Sequence, residues 1–234
     1  MNGLTLYEGP SRLGKDDIVV LATGLTRPSV NRKTGDVVQV YILLQDWHPT
    51  YGRRNGRDES ICGNCVMRQG SWNQQAECYV KGYMLNQPWT SWRWNRALYP
   101  KGSLQAIPYR KTIRVGAYGD MAAVPECVPF WEAQLRGHQW LAYTSQWSTT
   151  SLQHLAMASV HSPAEQRTAA ALGYRTYRRY TGQANPLSSE IECPFPRVQC
   201  NTCGLCDGNI GIKGDRKHII VQDVDEKRKG LSTD

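Results

Sequence analysis

Seven of the eight cysteines in this chain fall in two short stretches, and that clustering limits the possible folds more than any other feature. The first stretch, SICGNCVMRQGSWNQQAECYV, carries Cys62, Cys65 and Cys78: a CxxC pair, then a third cysteine after a gap of twelve residues. The second, CPFPRVQCNTCGLCDG, carries Cys193, Cys200, Cys203 and Cys206, the last three at successive two-residue gaps. Two-residue gaps suit thiolates that grip one metal centre. Disulfides, by contrast, stabilise most when they close long loops. The chain begins MNGLTLYEGPSRLGKDD, with no apolar core of a secretory leader, so the expected compartment is the cytoplasm (the host cytoplasm for a phage-encoded chain). Thiols stay reduced there, and paired cysteines read as metal ligands or redox groups.

The two stretches imply different chemistry. Three thiolates on one loop can bind three irons of a [4Fe–4S] cluster and leave the fourth iron open. They can equally supply three of four zinc ligands, with His48 the nearest histidine to complete the tetrahedron. Zinc sites usually take two CxxC pairs separated by a longer arm, whereas CxxCxxC is more typical of a loop wrapped around an iron–sulfur cube. Cys193 would then be the fourth ligand, and Gly204 and Gly208 permit the tight turns of such a wrap. Zinc remains the alternative metal. Cys127, beside Val128 in an apolar helical pattern, reads as an ordinary buried thiol.

Around the two stretches runs an alternation of strand and helix signals. IVVLATGL (residues 18–25) and VVQVYILL (37–44) are nearly continuous apolar runs, the pattern of strands buried on both faces. The turn signal at Thr34–Gly35–Asp36 allows them to pair as a hairpin. TIRVGAYGD then reads as a strand and PECVPFWEAQLRG as a helix stopped by Gly137. WLAYTSQW and LAMASV are strands. A helix follows, with Ser162 as N-cap, Pro163 at its first position and Glu165 completing a capping box, and then the strand RTYRRY. This order is the signature of parallel βα units. The expected fold class is therefore α/β, a partial (β/α) barrel of parallel strands with two cysteine-rich metal-binding loops. Residues 1–190 would form the barrel and include the first cysteine loop (46–80). Residues 191–222 would form a C-terminal metal-binding segment and 223–234 a flexible tail. Functional groups gather at the carboxyl ends of such strands, which nominates Asp120, Gln146 and Arg178 as catalytic candidates.

The net charge is +8 and the isoelectric point about 9.1, so an anionic partner such as a nucleic acid or nucleotide is expected. The basic residues form three groups: Arg53, Arg54 and Arg57; Arg110, Lys111 and Arg114; and Arg175, Arg178 and Arg179. The first group shares a loop with three cysteines and is the candidate phosphate contact. In QPWTSWRWNRALYP, tryptophans interleave with arginines, as in surfaces that stack on bases. The competing reading, that Trp89, Trp92 and Leu85 pack the cysteine loop against the body, is favoured. No apolar run approaches the roughly 20 residues of a membrane helix, so no membrane partner is expected.

The order of strand, three-cysteine loop, βα units and four-cysteine loop resembles a radical-SAM-type partial barrel with an auxiliary iron–sulfur cluster. The stretches KTGDVVQVYIL, CGNC…CYV, RVGAYGDMAAVP, YTSQW, MASV, GYRTYR and CPFP…CNTCGLCDG are also similar to uncharacterised cysteine-rich proteins encoded by bacteriophages. The first resemblance implies an open-site [4Fe–4S] cluster on Cys62, Cys65 and Cys78, S-adenosylmethionine as its ligand, and a second cluster on Cys193, Cys200, Cys203 and Cys206. The chain departs from the usual CxxxCxxC spacing of that family, having CxxC and a distant third cysteine. Two non-enzymatic alternatives stand beside it: a metal-stabilised nucleic-acid-binding protein, and a protein that binds a host partner in an anti-defence role.

Overall fold

Strands with apolar residues on both faces need neighbours on both sides, and that requirement organises the chain. The structure, a computed structural model, describes residues 2–27, 29, 31–68, 78, 80, 83–95, 98–108, 111–180, 185–207 and 218–222. Arg110, Gly208 and the expected tail at 223–234 lie outside the described residues.

The first sheet runs β1 (Gly3–Pro10), β2 (Asp17–Thr23), β3 (Val37–Leu44), β4 (Thr112–Tyr118) and β5 (Trp140–Leu141), in that spatial order. The expected hairpin forms: β2 pairs antiparallel with β3, Ile18 opposite Leu44 and Thr23 opposite Gln39. Ile18, Val19, Val20 and Leu21 are fully buried, which matches their unbroken apolar run. β1 adds an antiparallel strand outside β2. From β3 onward the pairing turns parallel, β3 with β4 and β4 with β5.

The second sheet contains β6 (Tyr143–Thr144), β7 (Met157–Val160), β8 (Thr176–Tyr180), β9 (Glu190–Glu192) and β10 (His218–Gln222), in the order β6-β7-β8-β10-β9. Every pairing in it is parallel. Only Ala142 separates β5 from β6, so residues 140–144 leave one sheet and enter the other. The Ala142 carbonyl accepts from Met157 N at 3.0 Å and bridges that step. The α/β class is as expected, and its strands form two five-stranded, parallel-rich sheets that meet at this segment. β10 lies between β8 and β9, so the segment carrying the last four cysteines completes a sheet and is not appended to one.

The capping box expected at Ser162 forms. α4 (Cys127–Leu135) connects β4 to β5, and its Trp131 is fully buried and donates to the Met121 carbonyl at 2.9 Å. α5 (Pro163–Ala171) connects β7 to β8. Ser162 Oγ accepts from Glu165 N at 3.1 Å, and Glu165 reaches back to His161 N at 2.6 Å. α3 (Tyr83–Trp94) buries Leu85, Trp89 and Trp92, and Trp89 Nε1 donates to the Leu44 carbonyl at 2.9 Å. These residues pack against the end of β3, while Trp94 is exposed. Among the described residues no helix is long and apolar enough to cross a membrane.

Gly119 makes the turn that leaves β4. Its φ is +79°, and a Cβ there would fall 2.6 Å from the Ile42 carbonyl oxygen. Gly56 has a similar φ of +70° but open space around it. Left-handed geometry costs a side-chain-bearing residue about 1–2 kcal/mol. Gly56→Ala should lose about that much in urea unfolding, and Gly119→Ala should lose clearly more, because backbone on a central strand cannot yield. Equal losses would contradict this packing.

Candidate metal centres

The first cysteine loop leaves the carboxyl end of β3. α1 (Pro49–Arg54) starts at Pro49, and the His48 Nδ1 accepts from Thr50 N at 3.4 Å as its cap. His48 also meets Trp89 edge to face, with centroids 5.3 Å apart. It is thus placed as a helix cap. α2 (Glu59–Cys62) ends on the first cysteine, and Cys65 N donates to the Cys62 carbonyl at 3.2 Å to form the CxxC turn. Arg68 pins that turn: Nη1 donates to the Gly63 carbonyl at 2.6 Å, Nη2 to the Gly56 carbonyl at 3.0 Å, and Nε meets buried Asp58 at 3.2 Å.

Two of the three catalytic candidates come to this turn. Asp120 N donates to the Ile61 carbonyl at 2.6 Å, and Gln146 Nε2 donates to the Cys62 carbonyl at 2.9 Å. Gly63, at φ +55°, lies so close that a Cβ would fall 2.6 Å from Gln146 Oε1. Asp120 is buried, and both carboxylate oxygens are occupied. Oδ1 accepts from Ala122 N at 3.0 Å and Thr144 Oγ1 at 2.9 Å, and Oδ2 accepts from Ser145 N at 2.6 Å. Burial raises its pKa above the ordinary aspartate value, opposed by these hydrogen bonds. The carboxylate therefore acts as a clamp between the carboxyl ends of β4 and β6.

The three thiols are free of disulfides. Burial pushes the Cys62 thiol well up, reinforced by Cys65, Asp58, Cys78 and Asp120. Burial also raises Cys65, against a hydrogen bond from the Ser145 side chain. Three sulfurs and two carboxylates thus share one electrostatic neighbourhood at the strand ends.

The second loop lies elsewhere. Cys193 N donates to the Ile220 carbonyl at 2.8 Å, and α6 (Cys200–Cys203) docks on the turn before β3, with Cys200 N on the Lys33 carbonyl and Asn201 N on the Thr34 carbonyl, each at 3.0 Å. Arg175, just before β8, holds the exit: it meets Asp207 at 3.0 Å and the Leu205 carbonyl at 2.7 Å. Cys193, Cys200, Cys203 and Cys206 all line one narrow cavity of about 20 Å³, with Tyr143 and Tyr177 among its walls. Burial pushes the Cys206 thiol up to about 12, opposed by a hydrogen bond with Tyr143 and reinforced by the other three cysteines. Among the described residues no three His, Cys, Asp or Glu side chains are already set as ligands of a single ion. Each loop gathers its thiols without closing them onto a point.

The remaining candidates are placed differently. Arg178 is buried and bidentate to Glu190, Nε to Oε1 at 2.7 Å and Nη2 to Oε2 at 2.6 Å, and it also donates to the Asn185 carbonyl at 3.0 Å. Its charge joins β8 to the approach of β9. Arg53 is buried, with Nη1 on the Val80 carbonyl at 2.6 Å. Arg57 meets Asp16 at 2.5 Å and stacks 4.0 Å above the Trp47 ring. Arg54 and Arg57 are exposed, so two of that group reach solvent. Sequence reasoning missed Arg68, Asp58, Ser145 and Arg175 as organisers of the two loops. Ser145 alone carried a signal, since it sits at a strand end beside Gln146.

Compared with known protein families, curated proteins and solved structures, the chain matches none.

The Arg178–Glu190 pair separates a structural role from a catalytic one. Burial pushes the Glu190 carboxyl up, but hydrogen bonds from Arg178 and Leu187 N, with the charges of Arg178 and His218, more than offset this and leave it below its ordinary value. A lowered carboxyl pKa contributes stability above the unfolded value, and that stability is lost as pH falls through the folded one. Arg178→Ala should cost about 3–5 kcal/mol in chemical unfolding near neutral pH, because it strands a buried charge. Glu190→Gln should be less stable than wild type at neutral pH, and the gap should close in acid below the glutamate range. A gap that persists there would contradict the pairing.

Proposed function

We propose that this chain is an iron–sulfur protein with two centres on a radical-SAM-like partial (β/α) barrel. In this reading Cys62, Cys65 and Cys78 hold an open-site [4Fe–4S] cluster, and Cys193, Cys200, Cys203 and Cys206 hold a closed auxiliary one. The observation that carries the proposal is convergence. The CxxC turn of Cys62 and Cys65, the Asp120 clamp and Gln146 meet at the carboxyl ends of strands β3, β4 and β6, where α/β sheets place their ligands, and the charge of Cys78 acts on the Cys62 thiol. The donor sets fit: three soft thiolates leave one position exchangeable, and four leave none.

A cluster bound at the first centre supplies one-electron chemistry and an exchangeable iron position, with S-adenosylmethionine the candidate ligand there. The chain's own residues do the positioning. Arg68 fixes the CxxC turn by its carbonyls, and Gln146 holds the Cys62 carbonyl. Asp120 joins the loop to two strand ends. Beside this end, Arg12, Glu126, Trp147, Ser148 and Thr149 contribute to a cleft of about 570 Å³, a volume in the range of small-molecule sites.

A second reading concerns the C-terminal centre alone. Its cavity of about 20 Å³ has room for about one water-sized atom, which favours a single zinc ion over a cube.

Anaerobic purification followed by iron, sulfide and zinc analysis tests both readings. The proposal expects a brown protein with iron and acid-labile sulfide in equal amounts. Cys62→Ala, Cys65→Ala and Cys78→Ala should each abolish one reduced-cluster EPR signal and spare the other. Cys203→Ser should remove metal from the second centre and lower thermal stability with it, since binding energy there is folding energy. Zinc equal to one per chain, with iron retained, selects the second reading; a colourless protein without iron removes the proposal.

A further inference from the structure

One buried polar group beside the first centre has no hydrogen-bond partner. Tyr118 is the last residue of β4, two positions before Asp120, and is only 4% exposed. Its hydroxyl is buried and, among the described residues, meets no donor or acceptor. Leaving such a hydroxyl unsatisfied costs roughly 1–3 kcal/mol, so native proteins seldom keep one without use. A phenylalanine would fill the same space without that cost. The ring is also held in place: the buried Arg53 guanidinium, fixed by the Val80 carbonyl, lies 5.9 Å from its centroid. The charges that act on the phenol are those of Cys62, Asp58, Arg53 and Cys78, so two cysteines of the first loop share its electrostatic surroundings.

We infer that the Tyr118 hydroxyl is a hydrogen-bond donor reserved for the sulfur of the metal centre held by Cys62, Cys65 and Cys78. The inference rests on the iron–sulfur reading above. Asp58 is committed to Arg68, and Asp120 to Thr144 and the Ala122 and Ser145 amides. Of the groups whose negative charge acts on the phenol, the sulfurs of Cys62 and Cys78 are the ones left for it. Metal-bound sulfur carries negative charge and accepts from an O–H. Hydrogen bonds to cluster sulfur stabilise the reduced state and raise the reduction potential. Tyr118 is accordingly a positioning and tuning residue, not a catalytic one.

Its signature is an opposite effect in the two states of the protein, and Tyr118→Phe reads it. In metal-free protein, prepared with chelator, the variant should melt no lower than wild type, because only an unsatisfied hydroxyl is removed. In anaerobically reconstituted protein, an EPR-monitored redox titration should show the first centre shifted to more negative potential. The signal of the Cys193–Cys206 centre, unchanged, serves as internal control. A metal-free variant that melts lower than wild type would assign the hydroxyl a structural partner and overturn the inference. An unmoved potential would overturn it as well, while leaving the iron–sulfur reading intact. Wild-type protein that takes up no iron would remove that reading, and this inference with it.

Discussion

The Asp120 carboxylate is the interaction on which the first centre depends. It sits at the end of β4 and accepts from Thr144 and Ser145 at the end of β6, while its own amide donates to Ile61 in the cysteine loop. Three segments distant in sequence therefore share one buried acid. A buried carboxylate is costly unless its oxygens are satisfied, and here both are. The clamp is stable only when the loop and both strand ends are in register together. CxxC geometry is thus set from below by the sheet and not by the loop alone.

The two centres occupy different settings. The candidate first centre lies at the carboxyl ends of the parallel strands, among the buried side chains of Asp120 and Gln146. The second docks on segments that enter strands: Lys33 and Thr34 precede β3, and Arg175 precedes β8. Its backbone is pinned by Ala142, Ile220 and the Lys33–Thr34 turn, and its cavity is narrow.

Much of this was legible because it is local. The buried hairpin, the strands on either side of α4 and α5, and the cap of α5 are written in runs and dipeptides that act within a few residues. So was the placement of Asp120 and Gln146, since strand ends follow from strand limits. What was not legible depends on partners distant in sequence or on insertion order. β10 is five residues set between charged segments, and nothing in HIIVQ says that it enters between β8 and β9. Arg178 looked like a strand-end functional group until Glu190 arrived beside it, and Arg53 looked like a surface cation until the Val80 carbonyl buried it. Tyr118 carried no signal at all, because an unsatisfied hydroxyl is visible only once its surroundings are placed.

The central claim is that the three-cysteine loop holds a cluster with one iron not bound by protein sulfur. Mössbauer spectroscopy of protein reconstituted with ⁵⁷Fe tests it directly, before and after addition of S-adenosylmethionine. The account predicts a subset of iron whose spectrum differs from that of the thiolate-bound sites and changes when the ligand is added. Iron that is uniformly thiolate-bound and indifferent to the ligand would contradict it.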